Sequence, residues 1–311
     1  MPRPLELLDL PTIYRYRDNV VSLDYARLLT RGSPLGAAGL MSYFNPARHI
    51  YGAVVEKDDT PLLGGVIHNN SDSFARLYYL APNTQLNAPE LPDLIEHLAA
   101  EAGKWGAFHV TAEIDEGSDA YRALRLSGFS VYAWQRLWNL SGLSAPHNAA
   151  TTWRRPSSAD LPAMQSLHHQ IVPALMHPFE QAPRHASGLT CCAEGLRGFV
   201  KISEGPYGIV LLPFIHPESN QVTEKLAALL NHLPDRRGRP VYLCVRSYQA
   251  WLEPVLEDLG ATASERQAIM VKHLAHLVKD GQTITQVQSA RVIPASHIKA
   301  LTKIDPHPKD Q

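Results

Sequence analysis

With 311 residues, 45% of them hydrophobic and 19% charged, the chain is long enough for two hydrophobic cores and has an ordinary globular make-up. A formal net charge of -1 leaves no basic surplus to attract phosphates, which argues against a nucleic-acid partner. Three cysteines, two of them adjacent at Cys191-Cys192, supply no disulfide framework, and no apolar run reaches the length of a membrane span, so neither disulfides nor a membrane partner are expected.

In chain order, Leu5 to Leu8 reads as a short strand, the amphipathic stretch from Leu10 as a helix, and Tyr25 to Leu29 as a second helical piece. The glycine-rich stretch Gly32 to Gly39 reads as a loop. His49 to Val55 and Leu62 to His68 form a hairpin about the turn Asp58-Asp59-Thr60-Pro61, and Phe74 to Leu80 is a third meander strand. Leu91, Leu94, Ile95, Leu98 and Ala102 mark one face of a helix over Glu90 to Trp105. Phe108 to Ile114 is a strand, Asp119 to Ser127 a helix closed by Gly128, and Phe129 to Leu140 supplies the last strands. Ser141 to Thr152 is small, polar and proline-punctuated, the composition of a linker.

The same order then returns. A helix is expected at Leu161, a hairpin over Leu189 to Ser203, a strand over Tyr207 to Phe214 and a helix over Val222 to Leu233. A strand over Val241 to Val245, a helix over Trp251 to Leu259 and a strand over Gln267 to Leu274 complete it. Three short words repeat with it. Asp9-Leu10-Pro11 returns as Asp160-Leu161-Pro162, Gly65-Val66-Ile67 as Gly198-Phe199-Val200, and Ala123 to Phe129 with Gln135 as Val255 to Ala261 with Gln267. The offsets are about 151, 133 and 132 residues, as a duplication with one internal length change requires. The expected organisation is a first domain over 1–140, a linker over 141–152, a more divergent second domain over 153–280 and a tail over 281–311, in which Ala290 to Ile293 is a candidate edge strand. Fifteen histidines do not imply a metal: Pro173 separates His168-His169 from His177, and no carboxylate or cysteine completes a set beside His273 and His276. The opening MPRPLELLDLP lacks the long apolar core of a secretory leader, and a cytoplasmic location is expected.

The order strand, helices, three-strand meander, helix, strand, helix, strand resembles the GNAT acyltransferase superfamily. The resemblance is strongest in Glu113 to Trp138 and in Leu62 to Val66, and it covers 3–140 well and 153–275 more weakly. It implies an α/β fold with two tandem GNAT-like domains, each a mixed, mainly antiparallel sheet flanked by helices. It also implies acetyl-CoA or another acyl-CoA as cofactor, and a small-molecule or protein amine as acceptor. The pantetheine arm would lie in the splay after strand four, against Leu80-Ala81 in the first domain and Phe214-Ile215 in the second. The family's Gln/Arg-x-x-Gly-x-Gly/Ala loop, whose backbone N–H groups cradle the pyrophosphate, falls on Gln85, Ala88 and Glu90, with Pro89 and Pro92 removing two donors. In the second domain it falls on Asn220, Thr223 and Lys225, where Ser219 or Asn220 would cap the helix and no glycine remains.

The family's tyrosine acid falls on Leu124 and Leu256. Tyr121, about 60° round the helix from Leu124, is either a displaced acid or a packing residue. Glu113 is either a base or a capping carboxylate. Two functions stand side by side: an acyl-CoA-dependent N-acyltransferase with altered loops, and a non-catalytic GNAT-fold protein that binds a ligand or serves as a scaffold.

Overall fold

The computed structural model describes residues 1–37, 39, 48–56, 60–143, 153–191, 196–233 and 236–274. Most of the expected linker, the tail with its candidate edge strand, and Cys192 lie outside the described residues.

Each half opens with the same device. In the first, β1 (Arg3–Pro4) leads through a short 3-10 turn into α1 (Leu10–Tyr16), with Pro11 in its first turn, where a missing N–H costs nothing. Asp9 accepts both terminal nitrogens of Arg3, each at 2.8 Å, and the Glu6 N–H at 2.8 Å. In the second half Asp160 accepts the Arg154 guanidinium at 2.8 and 2.7 Å and the Ser157 N–H at 2.7 Å. The repeat seen in Asp-Leu-Pro therefore extends to an arginine six residues upstream, and the guanidinium holds both carboxyls below the usual range.

The first half continues with β2 (Val21–Ser22), α2 (Tyr25–Arg31), β3 (Arg48–Val55), β4 (Leu62–Asn69), β5 (Phe74–Ala81), α3 (Leu91–Lys104), β6 (His109–Asp115), α4 (Asp119–Leu126) and β7 (Ser130–Asn139). The second contains β8 (Trp153–Arg154), α5 (Leu161–Ile171), β9 (Leu189–Cys191), β10 (Gly198–Glu204), β11 (Ile209–Ile215), α6 (Val222–Leu229), β12 (Val241–Arg246), α7 (Glu253–Asp258), β13 (Thr262–Ala263) and β14 (Gln267–His273). The meander strands and the apolar face of α3 lie where periodicity placed them: Leu91, Leu94, Ile95, Leu98 and Ala102 are all buried. The pairs β5–β6 and β11–β12 are parallel and the other neighbours antiparallel, so the fold is α/β with two GNAT-like units of mixed, mainly antiparallel sheet.

Strand order runs β1-β3-β4-β5-β6-β14-β7-β12-β11-β10-β9-β8, with β2 added to β5 and β13 to β7. The last strand of each half therefore sits in the sheet of the other. β14 lies between β6 and β7, and β7 pairs with β12. The largest buried cluster of each half takes residues from the closing strand of the opposite half. Ala268 and Met270 of β14 pack in the first core, and Trp138 of β7 in the second. Further contact between the halves comes from α2, which lies on the β10–β11 hairpin. The Tyr207 N–H donates to the Thr30 carbonyl at 3.1 Å, and a Cβ at Gly205 would fall 2.2 Å from that same oxygen, so only glycine permits the approach. Among the described residues no helix is long and apolar enough to cross a membrane.

Because each half lacks its own last strand, residues 1–143 and 153–276 produced separately should each fail to show a cooperative melt. Mixing or co-expressing them should restore one. Independent, native-like unfolding of either piece, followed by circular dichroism, would contradict the exchange.

Candidate functional site

The parallel pairing of β5 with β6 is short, holding Phe74, Ala75 and Arg76 against His109, Val110 and Thr111 before the strands part. The resemblance puts a pantetheine arm in the gap beyond. That gap holds the chain's own backbone. β2 pairs with β5, Val21 opposite Leu80 and Ser22 opposite Tyr79. The Leu23 N–H donates to the Tyr78 carbonyl at 3.0 Å, and the Leu23 carbonyl accepts the Glu113 N–H at 2.9 Å. Leu23, Leu80 and Ala81 are all buried, and the other edge of Ala81 pairs with Leu63. The adjoining loop spends its donors on itself: Gln85 N–H to the Pro82 carbonyl, Ala88 N–H to the Gln85 carbonyl and Leu91 N–H to the Ala88 carbonyl, at 3.0 to 3.1 Å.

In the second half β11 and β12 pair in parallel only over Ile209 to Leu211 and Val241 to Leu243. Beyond that point a side chain does what a strand does in the first half. Gln249, fully buried, donates from Nε2 to the Pro213 carbonyl at 2.6 Å and accepts the Ile215 N–H at 3.0 Å. It satisfies one donor and one acceptor of β11, the pair an amide-containing ligand would take. Phe214 between them stacks on Phe199, with ring centroids 4.6 Å apart. At the loop that follows, the structure differs from the expected cap. The N-cap of α6 is Gln221, in the left-handed region at φ 52°, with no side-chain cap bond. The Ser219 hydroxyl instead donates to the Arg197 carbonyl at 3.2 Å, and Asn220 precedes the cap position.

Leu124 and Leu256, at the acid positions, are fully buried. Tyr121 is half-buried on α4 and stacks on Trp134 at 6.3 Å and 28°. Glu113 lies elsewhere. Side chains alternate along β6, so Ala112 and Ile114 join α4 in the first core while Glu113 takes the opposite face. The sheet thus separates the two candidate catalytic residues.

On its own face Glu113 lines a cavity of about 70 Å³ where the halves meet, with Asp24 and Arg76 from the first half and Glu180 and Arg246 from the second. Its Oε2 accepts the Tyr25 N–H at 3.1 Å and its Oε1 lies 3.6 Å from Arg246 Nη1. Burial pushes this carboxyl up, against the opposing pull of Arg246. Arg246 also donates from Nη1 to Gln135 Oε1, and its Nε lies 3.4 Å from Glu180 Oε2, which receives the Tyr248 hydroxyl. Sequence reasoning missed Asp24, Glu180 and Arg246. Only Arg246, a charge ending the apolar strand VYLCVR, and Asp24, the N-cap of α2, carried any local signal.

His168 of α5 packs against Phe214 at 5.1 Å, 1% exposed, and neither ring nitrogen has a hydrogen-bond partner. Burial holds its pKa at about 3. Among the described residues no group of three metal-type ligands occurs.

No protein-family model and no curated protein matches the sequence. Solved structures do resemble the fold. A GCN5-related N-acetyltransferase from Sphaerobacter thermophilus has a TM-score of 0.54 at 14% identity, over 88% of this chain and 95% of that one. A tandem GNAT protein from the clavulanic acid biosynthesis pathway, solved without AcCoA, has a TM-score of 0.50 at 16% identity, over 89% and 99%. A putative acetyltransferase from Pyrococcus horikoshii scores 0.50 at 10% identity, over 88% and 89%. The chain has the tandem GNAT fold.

His168 supplies a test of burial beside the second cleft. Its folded pKa is depressed, so between the ordinary histidine value of 6.5 and about 3 only the unfolded chain binds the proton. Stability conferred by this site should be full above pH 6.5 and fall as pH drops through that window. Urea titrations of native protein and His168→Leu should diverge below pH 6.5, with the variant the flatter; parallel curves would show that the imidazole is not buried neutral.

Proposed function

We propose that this protein is a non-catalytic tandem GNAT-fold protein that binds a ligand or pairs its two halves as a scaffold, and is not an acyl-CoA-dependent N-acyltransferase. The observation that carries this reading is that the chain fills both splayed clefts itself, with Val21 to Leu23 in one and Gln249 in the other. A pantetheine arm entering the first cleft must expel a strand. Exposing Leu23 alone costs about 1.5–3 kcal/mol, and each buried polar group left unpaired costs about 1–3 kcal/mol more. Entry into the second must displace Gln249 from two buried bonds.

The chemistry is weakened in parallel. General acid and base catalysis needs both groups within reach of one reacting centre. Here Leu124 and Leu256 replace the acid, and Tyr121 and Glu113 lie on opposite faces of the sheet. Proximity is the larger loss, because a thioester that is not positioned gains nothing from a well-placed base.

Calorimetry with acetyl-CoA on the whole protein should give no saturable heat, and thiol release in the presence of primary amines should match a blank. Leu124→Tyr should not change either result. Gln249→Ala should lower stability by about 2–6 kcal/mol, because it strands two buried groups, the Pro213 carbonyl and the Ile215 N–H. Micromolar acetyl-CoA binding with amine-dependent thiol release by the native chain would overturn the proposal.

A further inference from the structure

We propose that the outer edge of β10, from Ile202 to Glu204, binds an extended peptide as an added antiparallel strand. The peptide carries a basic side chain opposite Glu204, a β-branched apolar one opposite Ile202 and a carboxylate beside Arg155. It gives the scaffold reading a partner, and rests on the non-catalytic reading only in that the peptide is held and not acylated.

The two halves differ at this edge. In the first, β3 pairs with β4 along all eight residues, Leu62 to Asn69. In the second, the matching strand β9 has three residues and covers β10 only from Gly198 to Val200. Just before Leu189 the chain leaves the sheet through Gly188, at φ 86°, where a Cβ would fall 2.0 Å from the Val200 carbonyl oxygen. Among the described residues no strand pairs with the outer edge beyond Val200.

The phase of the ladder fixes which groups that edge presents. The Gly205 N–H donates to the Gly208 carbonyl at 3.1 Å, and hydrogen-bonded pairs alternate from there, so Ser203 with Val210 is the next. In the intervening pair Ile209 turns away from Glu204 and donates its N–H to the Pro240 carbonyl at 2.9 Å. Farther along, Pro213 and Ile215, opposite Val200 and Gly198, likewise turn away from β10 toward Gln249. Ile202 and Glu204 therefore direct their N–H and carbonyl groups outward. Two donors and two acceptors at strand spacing are matched one for one by an extended chain, as β3 matches β4.

The side chains select that chain. Ile202 and Glu204 share one face and line a groove with Arg155 and Pro156. Ile202 is only partly buried against the second core, so it offers apolar surface to a cross-strand neighbour. Lys201 takes the opposite face, over the Phe214 ring at 5.0 Å and donating to the Gln181 carbonyl at 2.7 Å, so its charge does not guard the edge. A strand antiparallel to β10 runs in the direction of β9 and must stop where Leu189 begins. It starts at Glu204, whose side chain stays more than half exposed beside Arg239, and ends level with Arg155, which follows the Arg154–Thr190 pair. Arg155 is exposed and has no ion-pair partner among the described residues. A basic start and an acidic end complement these two charges; the reverse order sets like against like.

The test is fluorescence anisotropy of the full chain with the peptide Lys-Thr-Val-Thr-Glu, labelled at its N-terminus and amidated. Saturable binding is expected, about tenfold weaker or more for the reversed sequence. N-methylation at Val removes an N–H aimed at β10 and should weaken binding about tenfold or more, whereas N-methylation at the Thr before it, whose N–H faces away, should leave it unchanged. Glu204→Pro deletes an N–H that the ladder with β11 does not use and should weaken binding about fivefold or more. If that variant fails to fold, the N-methyl pair on native protein decides. Absence of saturable binding, or equal loss from both N-methyl peptides, would overturn the site. Self-association of the native chain that Glu204→Pro abolishes, without peptide binding, would assign the edge to a second copy and overturn it too. Acetylation of the peptide lysine by acetyl-CoA, read by mass spectrometry, would leave the edge standing and sink the non-catalytic reading; absence of peptide binding would do the reverse.

Discussion

Antiparallel pairing of β7 with β14 sets Gln135 directly opposite Gln267, and the Gln135 amide donates from Nε2 to Gln267 Oε1 at 2.8 Å. These are equivalent residues of the repeat, so a local two-fold axis passes between them. Both are buried, and neither could be left single without stranding the amide of the other. Around this axis each half completes the sheet of its neighbour, which is why one sheet runs through the described residues. On its other edge β7 pairs with β12, which sets Arg246 opposite Gln135 and within 3.6 Å of Glu113. The charged cavity is thus a consequence of how the halves close.

The two clefts show one physical requirement met in two ways. Splayed parallel strands leave backbone N–H and carbonyl groups that must be paired or hydrated. In the first half a two-residue strand and its neighbour Leu23 supply the partners; in the second a single glutamine side chain does. The different solutions follow from what lies nearby. The first half has a connection between its first two helices that passes the gap, whereas the second has a 3-10 turn after β12, broken at Gln249 by φ -125° and ψ 23°, that aims a side chain at it.

The halves differ at exposed positions of their shared opening as well as at the buried closure of the clefts. The arginine–aspartate cap keeps its geometry in both copies, yet Leu7, Leu8 and Tyr14 on the first copy's surface correspond to Ser158, Ala159 and Gln165 on the second. Solvent-facing positions of a turn such as Leu7 and Leu8 carry little packing, whereas the arginine–aspartate pair supplies the bonds that hold the turn.

Much was legible without coordinates. Period-two and period-3.6 patterns located the meander strands and α3, Gly128 closed α4, and the repeated words announced the duplication. Two leucines at the acid positions and the absence of glycine at the cradle are facts of the sequence alone. What periodicity encodes is the face a side chain takes, not the strand it will lie beside. The destinations of β7 and β14 were therefore hidden, since either sheet offers the same apolar face. β2 is too short to carry a pattern, and Gln249 looks like any polar residue until Pro213 and Ile215 stand beside it. Glu113 and Glu180 meet across 67 positions, the difference of their numbers, through an exchange that no local signal specifies. Local chemistry decided the elements; only long-range packing decided what those elements enclose.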